Sequence, residues 1–200
     1  MRKNVTFYFD FASPYGYLAA TQMDQLAADT GCDVVWRPIL LGVVFRATGS
    51  APNLQRPLVG DYLLRDVPRF ARRLGVELHL PMPSPFASLA AARAVYWAEQ
   101  RDPHLASSLA KAVFAAHWAE GRDMALPENV LDVAASLDIN RDDLDSGMQD
   151  PAVKDRLRRE TDSAIARGVF GSPFFLVGDE PFWGVDRLPQ VADWLRTGGW

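Results

Sequence analysis

Runs of β-branched and aromatic residues cluster at the two ends of this 200-residue chain, and the long middle has a different texture. VTFYF (5–9) and VVW (34–36) lie near the start, and PFFLV (173–177) lies near the end. From about Leu41 to Gly168 the sequence is alanine-rich and helical in period, as in SLAAARAVYWAEQ (88–100) and SLAKAVFAAHWAEG (108–121). If both ends build one sheet, the helical block between them is an insertion that must pack over that sheet.

Local signals sharpen the outline. Pro14 opens a helix expected to run to about Asp29, with Tyr17, Leu18, Thr21 and Leu26 at helical spacing, and Gly31 stops it. CDVVWRPIL then supplies a second strand that ends at Pro38. Within the helical block, Pro127 falls in a first turn, and Asp150, Pro151 and Gly168 read as N-cap, N1 and stop. After PFFLV come a Gly178-Asp179 turn, a short PFWG segment and a last helix over about Arg187 to Thr197. The order β-α-β, helices, β-β-α predicts an α/β thioredoxin-like domain over 1–41 and 168–200, with an all-helical domain inserted over 42–167.

Composition narrows the function classes. Hydrophobic residues at 48% and charged residues at 23% are ordinary globular values. A net charge of -4 gives no general attraction to nucleic acid or anionic lipid. Asp10 interrupts the N-terminal apolar run before signal-peptide length, and no apolar span reaches membrane thickness, so a cytoplasmic protein is expected. The single Cys32 excludes an intramolecular disulfide and a CxxC redox centre. His79, His104 and His117 lack ligand spacing, so no metal site is expected. Tyr96, Trp97, Phe114 and Trp118 read as core packing, while Trp194 and Trp200 fit either packing or an intermolecular contact.

Ser13 sits where the first strand turns into a helix. A serine there caps the helix, and Pro14 at N1 has no N–H to leave unsatisfied. The same hydroxyl, beside helix-start amides, could donate to a thiolate and lower its pKa. GVFGSPFFLV (168–177) offers a second element, since an X-Pro step entering a strand is a place where a cis bond is useful. Pro173 would then leave Ser172 presenting a backbone edge.

FYFDFASPYGYLAA, RPILLGVVFRATGSAP, ARRLGVEL, AAARA, GVFGSPFF and FWGVDRL together resemble the 2-hydroxychromene-2-carboxylate isomerase family. That family is similar to kappa-class glutathione transferases and belongs to the DsbA-like branch of the thioredoxin fold. The resemblance implies glutathione as cofactor, a small aromatic substrate and a homodimer. It places Ser13 against the glutathione sulfur, Ser172 and Pro173 along the tripeptide backbone, and Gly184, Val185, Asp186 and Arg187 at the γ-glutamyl end. Asp186 reads equally well as an N-cap of the last helix, and Arg187 as a solvated charge.

Tyr15, Phe45, Arg46 and Ser50 fall where the resemblance expects the second substrate. Tyr15 and Tyr17 project from different faces of the first helix, so at most one of them faces the site. The chain departs from the family at Arg46 and Val59, where lysines are usual, and at Ser50 and Ala87, where asparagines are usual; Arg56 and Arg65 lie within reach of the missing charge. The rival readings are a kappa-like glutathione transferase on the same site and a non-catalytic thioredoxin-like binding protein.

Overall fold

The computed structural model of the chain describes residues 3–79 and 86–200. It begins with β1 (Asn4–Phe9), α1 (Pro14–Ala20), α2 (Met23–Thr30) and β2 (Asp33–Pro38). The helical block follows as α3 (Leu41–Thr48), a 3-10 turn over Asn53–Gln55, α4 (Val59–Leu74), α5 (Leu89–Glu99), α6 (Pro103–Trp118), α7 (Pro127–Ala135), α8 (Arg141–Gln149) and α9 (Pro151–Ala166). β3 (Phe174–Val177), β4 (Glu180–Trp183), a 3-10 turn over Val185–Arg187 and α10 (Leu188–Thr197) complete it.

The four strands form one mixed sheet in the order β2-β1-β3-β4. β1 runs parallel to β2, with Phe7 opposite Trp36, and antiparallel to β3, with Phe7 opposite Phe175. A sheet made from both ends of the chain, with helices inserted between β2 and β3, is the thioredoxin-like arrangement read from the sequence.

Period-two alternation explains why β1 is almost continuously apolar. Val5, Phe7 and Phe9 point to one face, where Phe7 stacks on Phe175 at 5.3 Å and Phe9 meets Phe114 of α6 at 5.4 Å. Tyr8 points to the other face and packs with Phe174, Leu176, Ile39, Val44 and Ala164. Helices therefore cover both faces. The insertion is also tied to the sheet by hydrogen bonds: Trp118 Nε1 donates to the Phe11 carbonyl at 2.9 Å, and the Tyr96 hydroxyl donates to the Pro38 carbonyl at 2.8 Å. Each fully buried aromatic side chain of this kind contributes roughly 1.5–3 kcal/mol.

Two local expectations differ from the structure. The helix expected from Pro14 to Asp29 is broken at Thr21 and Gln22. Thr21 Oγ1 donates to the Leu18 carbonyl at 2.7 Å, and the Gln22 N–H bonds Ala19 at i−3, so side chain and a tightened turn replace the α-helical ladder. At the other end, α10 has Arg187 at its N-cap position with no side-chain cap bond, so Asp186 does not cap it. Trp194 packs against Phe182 with ring centroids 5.9 Å apart, and the largely exposed Trp200 meets Trp194 edge-on at 5.0 Å. Among the described residues no helix is long and apolar enough to cross a membrane.

Candidate active site

β1 ends at Phe9, and the next four residues carry the chain across the top of the sheet into α1. Ser13 is the N-cap, with φ −97° and ψ 116°, and its Oγ accepts the Gly16 N–H at 3.0 Å. The same hydroxyl donates to the Ser172 carbonyl at 2.8 Å. The Ser172–Pro173 peptide bond is cis, and the Ser172 Oγ accepts the Asp10 N–H at 3.0 Å. Ser13 and Ser172, far apart in sequence, are thus joined directly. Gly16 permits the approach: a Cβ there would lie 2.8 Å from Ser172 Oγ and 3.2 Å from Ser13 Cβ. α1 is only seven residues long, so the hydroxyl itself, more than a helix dipole, is what this helix start offers an anion.

Two recesses meet at this pair. The first is a cleft of about 290 Å³, mostly apolar, with Phe45, Phe86, Phe170 and Trp183 in its walls and Ser13 and Asp10 among its polar lining. The second is a groove of about 400 Å³ that runs past Ser172 and Pro173 to Gly184, Val185, Asp186 and Arg187. Tyr15, Asn53, Leu63, Ser172 and Trp183 line both. The groove wall is braced by the Gly184 N–H, which donates to the Pro173 carbonyl at 3.1 Å. Gly184 has φ 112°, a conformation that favours glycine, and its missing Cβ leaves room for the Asp186 carboxylate. Asp186 and Arg187 are each about half exposed, with 3.8 Å between Arg187 Nη1 and Asp186 Oδ2.

Tyr15 forms the partition between the recesses, while the Tyr17 hydroxyl turns away to donate to the Glu77 carbonyl at 2.7 Å. The Tyr15 hydroxyl donates to Asp66 Oδ2 at 2.6 Å, and Asp66 also receives Tyr62 at 3.1 Å and the Arg69 guanidinium. Burial pushes the Tyr15 phenol up, and the Asp66 carboxylate beside it adds to the rise, so Tyr15 serves as a neutral donor. Burial would push Asp66 up as well, but hydrogen bonds from Tyr15, Arg69 and Tyr62 outweigh it and hold the carboxyl below its ordinary value.

Of the residues expected around a second substrate, Tyr15, Phe45 and Ser50 line the first cleft. Arg46 does not: it is exposed on α3 and lines neither recess. Arg56 takes the cationic place in the cleft wall, with its Nη1 donating to Asn53 Oδ1 at 3.2 Å. Val59 lines the groove, and Ala87 is exposed.

Asp10 and Asn53 are site-lining residues that the sequence reading did not single out. Asp10 is 4% exposed; it accepts the N–H groups of Ala12 at 2.9 Å and Leu41 at 2.7 Å, and it hydrogen-bonds the Ser88 side chain. Burial raises its carboxyl pKa despite those three bonds. Its signal was present, since a lone acid closing an apolar strand is a charge the fold must either expose or pair.

Fold and site together define a thioredoxin-like protein whose cleft presents a serine hydroxyl beside a cis-proline edge; its single cysteine, Cys32, is buried elsewhere. The model of the DSBA-like thioredoxin domain matches residues 4–196. A 2-hydroxychromene-2-carboxylate isomerase of Sphingobium xenophagum is 32% identical over 98% of this chain and 99% of that protein. Glutathione S-transferase kappa 2 of Caenorhabditis elegans is 30% identical over 97% of this chain and 92% of that protein. A solved 2-hydroxychromene-2-carboxylate isomerase superposes with a TM-score of 0.86 at 32% identity, over 95% of this chain and 93% of that one. The chain belongs to the 2-hydroxychromene-2-carboxylate isomerase family of DSBA-like thioredoxin proteins.

Proposed function

We propose that this protein is a glutathione-dependent isomerase of the 2-hydroxychromene-2-carboxylate type, acting on a small aromatic-derived acid. The observation that carries the reading is the meeting, at the Ser13–Ser172 pair, of a cleft walled by Phe45, Phe86 and Phe170 with a groove that runs along Pro173 to the Asp186 and Arg187 charges. The donor set of the groove fits glutathione: a backbone edge at Ser172 for a peptide bond, Asp186 for an ammonium and Arg187 for a carboxylate. Bound there, glutathione would supply a nucleophilic sulfur that adds reversibly to an unsaturated carbon and leaves again unconsumed.

The chain's own residues do the rest. The Ser13 hydroxyl, which donates to the Ser172 carbonyl in this structure, would give the sulfur a hydrogen bond once turned away from that carbonyl, and so favour the ionised thiol. Tyr15, fixed by Asp66, and Trp183 hold the acceptor ring in the apolar cleft and keep water from it. Arg56 and Asn53 offer donors to the substrate carboxylate. This reading carries with it a cytoplasmic setting, where thiols are kept reduced, and a homodimer. Light scattering tests the homodimer.

The test is calorimetric titration with reduced glutathione, followed by an isomerase assay. Binding that weakens in Asp186→Ala and turnover that falls in a folded Ser13→Ala variant support the reading; no glutathione binding to the wild-type protein overturns it. The kappa-like transferase is a second reading, favoured by the 30% identity to the nematode kappa enzyme. It predicts a stable glutathione adduct by mass spectrometry, where an isomerase returns glutathione unchanged.

A further inference from the structure

Ser13 has one hydroxyl proton, and in this structure that proton is committed to the Ser172 carbonyl at 2.8 Å. The hydroxyl oxygen is committed too, since it accepts the Gly16 N–H at 3.0 Å. A sulfur anion brought to Ser13 in this state meets oxygen lone pairs and no donor. Neither partner moves easily. Ser13 is 6% exposed and lies close against Gly16, and Ser172 is anchored through its Oγ by the Asp10 N–H at 3.0 Å. The one inexpensive motion is rotation of the O–H about the Cβ–Oγ bond, which keeps the Gly16 bond but takes the proton away from the Ser172 carbonyl.

We propose that the Ser172 carbonyl is the specificity-determining group of the site, because it gives up the Ser13 proton to a thiol that brings a peptide N–H of its own. This rests on the glutathione reading given above and deepens it. The cysteine amide N–H of glutathione takes over the Ser172 carbonyl, and the Ser13 O–H turns onto the sulfur. The exchange is balanced: the carbonyl keeps a donor, the Ser13 oxygen keeps Gly16, and the thiolate gains a hydrogen bond. A thiol without that N–H can win the Ser13 proton only by leaving the Ser172 carbonyl without its donor, a loss that offsets the gain at sulfur. Thiolate stabilisation is therefore coupled to recognition of a peptide thiol, and a simple thiol in the same cleft stays protonated.

The experiment compares reduced glutathione with its depsipeptide analogue, in which an ester oxygen replaces the cysteine amide N–H. Ligand binding is followed by calorimetry, and the thiol pKa of the bound ligand by ultraviolet absorbance of the thiolate across a pH series. The expected result is a bound glutathione thiol at least tenfold more acidic than the free thiol. At concentrations high enough to saturate the site, the analogue should bind more weakly than glutathione and with a thiol acidity within about twofold of its free value. Ser13→Ala should return bound glutathione to the free value. The proposal is overturned if the analogue binds with its thiol acidified as far as glutathione's, which would mean that the carbonyl's second lone pair takes the N–H without releasing Ser13. It is also overturned if acidification survives in Ser13→Ala, or if bound glutathione is not acidified at all. Those outcomes leave glutathione binding intact, so they are distinct from the absence of binding that would remove the proposed function itself.

Discussion

The Asp10 carboxylate accepts the backbone N–H of Leu41 at 2.7 Å, so the residue that follows β1 supplies the cap that α3 lacks from its own N-cap, Leu40. The same carboxylate receives Ala12 and Ser88 and therefore joins the sheet end, the Ser13 turn, α3 and the start of α5. Asp10→Asn keeps the shape but points an NH₂ at one of two N–H donors. It should destabilise the fold by about 1–3 kcal/mol at neutral pH in urea unfolding. Burial raises the Asp10 pKa, so the folded state holds this proton more tightly than the unfolded chain. The proton-linked part of its contribution, separate from the hydrogen-bond pattern that Asn disrupts, is full below its ordinary value of 3.8 and is lost as pH rises through the folded value. The Asn variant should lack that component, and equal stabilities with equal pH slopes would show that Asp10 does not hold these elements together.

Gly147 on α8 faces the indole of Trp97 on α5, and a Cβ there would overlap the ring. Helix propensity alone favours Ala over Gly by about 1 kcal/mol. The overlap reverses the sign, because Trp97 is 6% exposed and the Arg101 guanidinium already lies 3.5 Å from its ring centroid. Gly147→Ala should destabilise by about 1–3 kcal/mol, the usual range for overpacking a filled core. A variant that melts at or above the wild-type temperature would refute this packing.

The outline of the fold was legible because it rests on local signals. VTFYF, CDVVWRPIL and PFFLV are strands within a residue or two of where they were read, and Asp150-Pro151 opens α9 with the Asp150 carboxylate accepting the Ala152 N–H at 2.8 Å. The break at Thr21 was not legible, because a threonine hydroxyl competes with the helix ladder only where the chain must turn to pack α2 on α10. In the site, Ser13 and Ser172 were marked by the prolines that follow them, whereas the Gly184–Arg187 turn was named only through the family resemblance. Arg56 was named only as one of two arginines within reach of a missing charge, and Asp10 and Asn53 were not named for the site at all, since their positions depend on how the insertion folds back over the sheet.

His117 on α6 supplies a pH dependence of the opposite kind. Its Nδ1 lies 2.9 Å from the Arg122 carbonyl, an acceptor, so Nδ1 carries the proton of a neutral ring. Its Nε2 is buried without a partner among the described residues. Burial lowers the pKa, outweighing the Arg122 carbonyl and the charge of Asp123, both of which raise it. Below the ordinary value of 6.5 the unfolded chain binds a proton that the folded protein resists, so stability falls as pH falls from 6.5 toward the folded value. Urea unfolding across that window should show this slope in the wild type and lose it in His117→Gln. An unchanged slope in the variant would assign the effect to another group.

Arg56 and Arg46 separate two ways of holding a substrate carboxylate. Arg56 lines the apolar cleft, whereas Arg46 is exposed on α3 and lines neither recess. Asn53 engages one Arg56 nitrogen at 3.2 Å, which leaves the remaining guanidinium donors for a carboxylate. Arg56→Ala should raise KM for an aromatic carboxylate substrate roughly fivefold with little change in kcat, as expected for a solvent-screened contact equal in ground and transition states. Arg46→Ala should leave both constants unchanged. The decisive comparison uses the neutral carboxamide form of the substrate as a competitive inhibitor. Its inhibition constant should change much less than KM between wild type and Arg56→Ala, because the amide oxygen can accept only the weaker, uncharged hydrogen bond. If Arg56→Ala weakens the carboxamide as much as the carboxylate, Arg56 shapes the cleft wall and does not bind the charge.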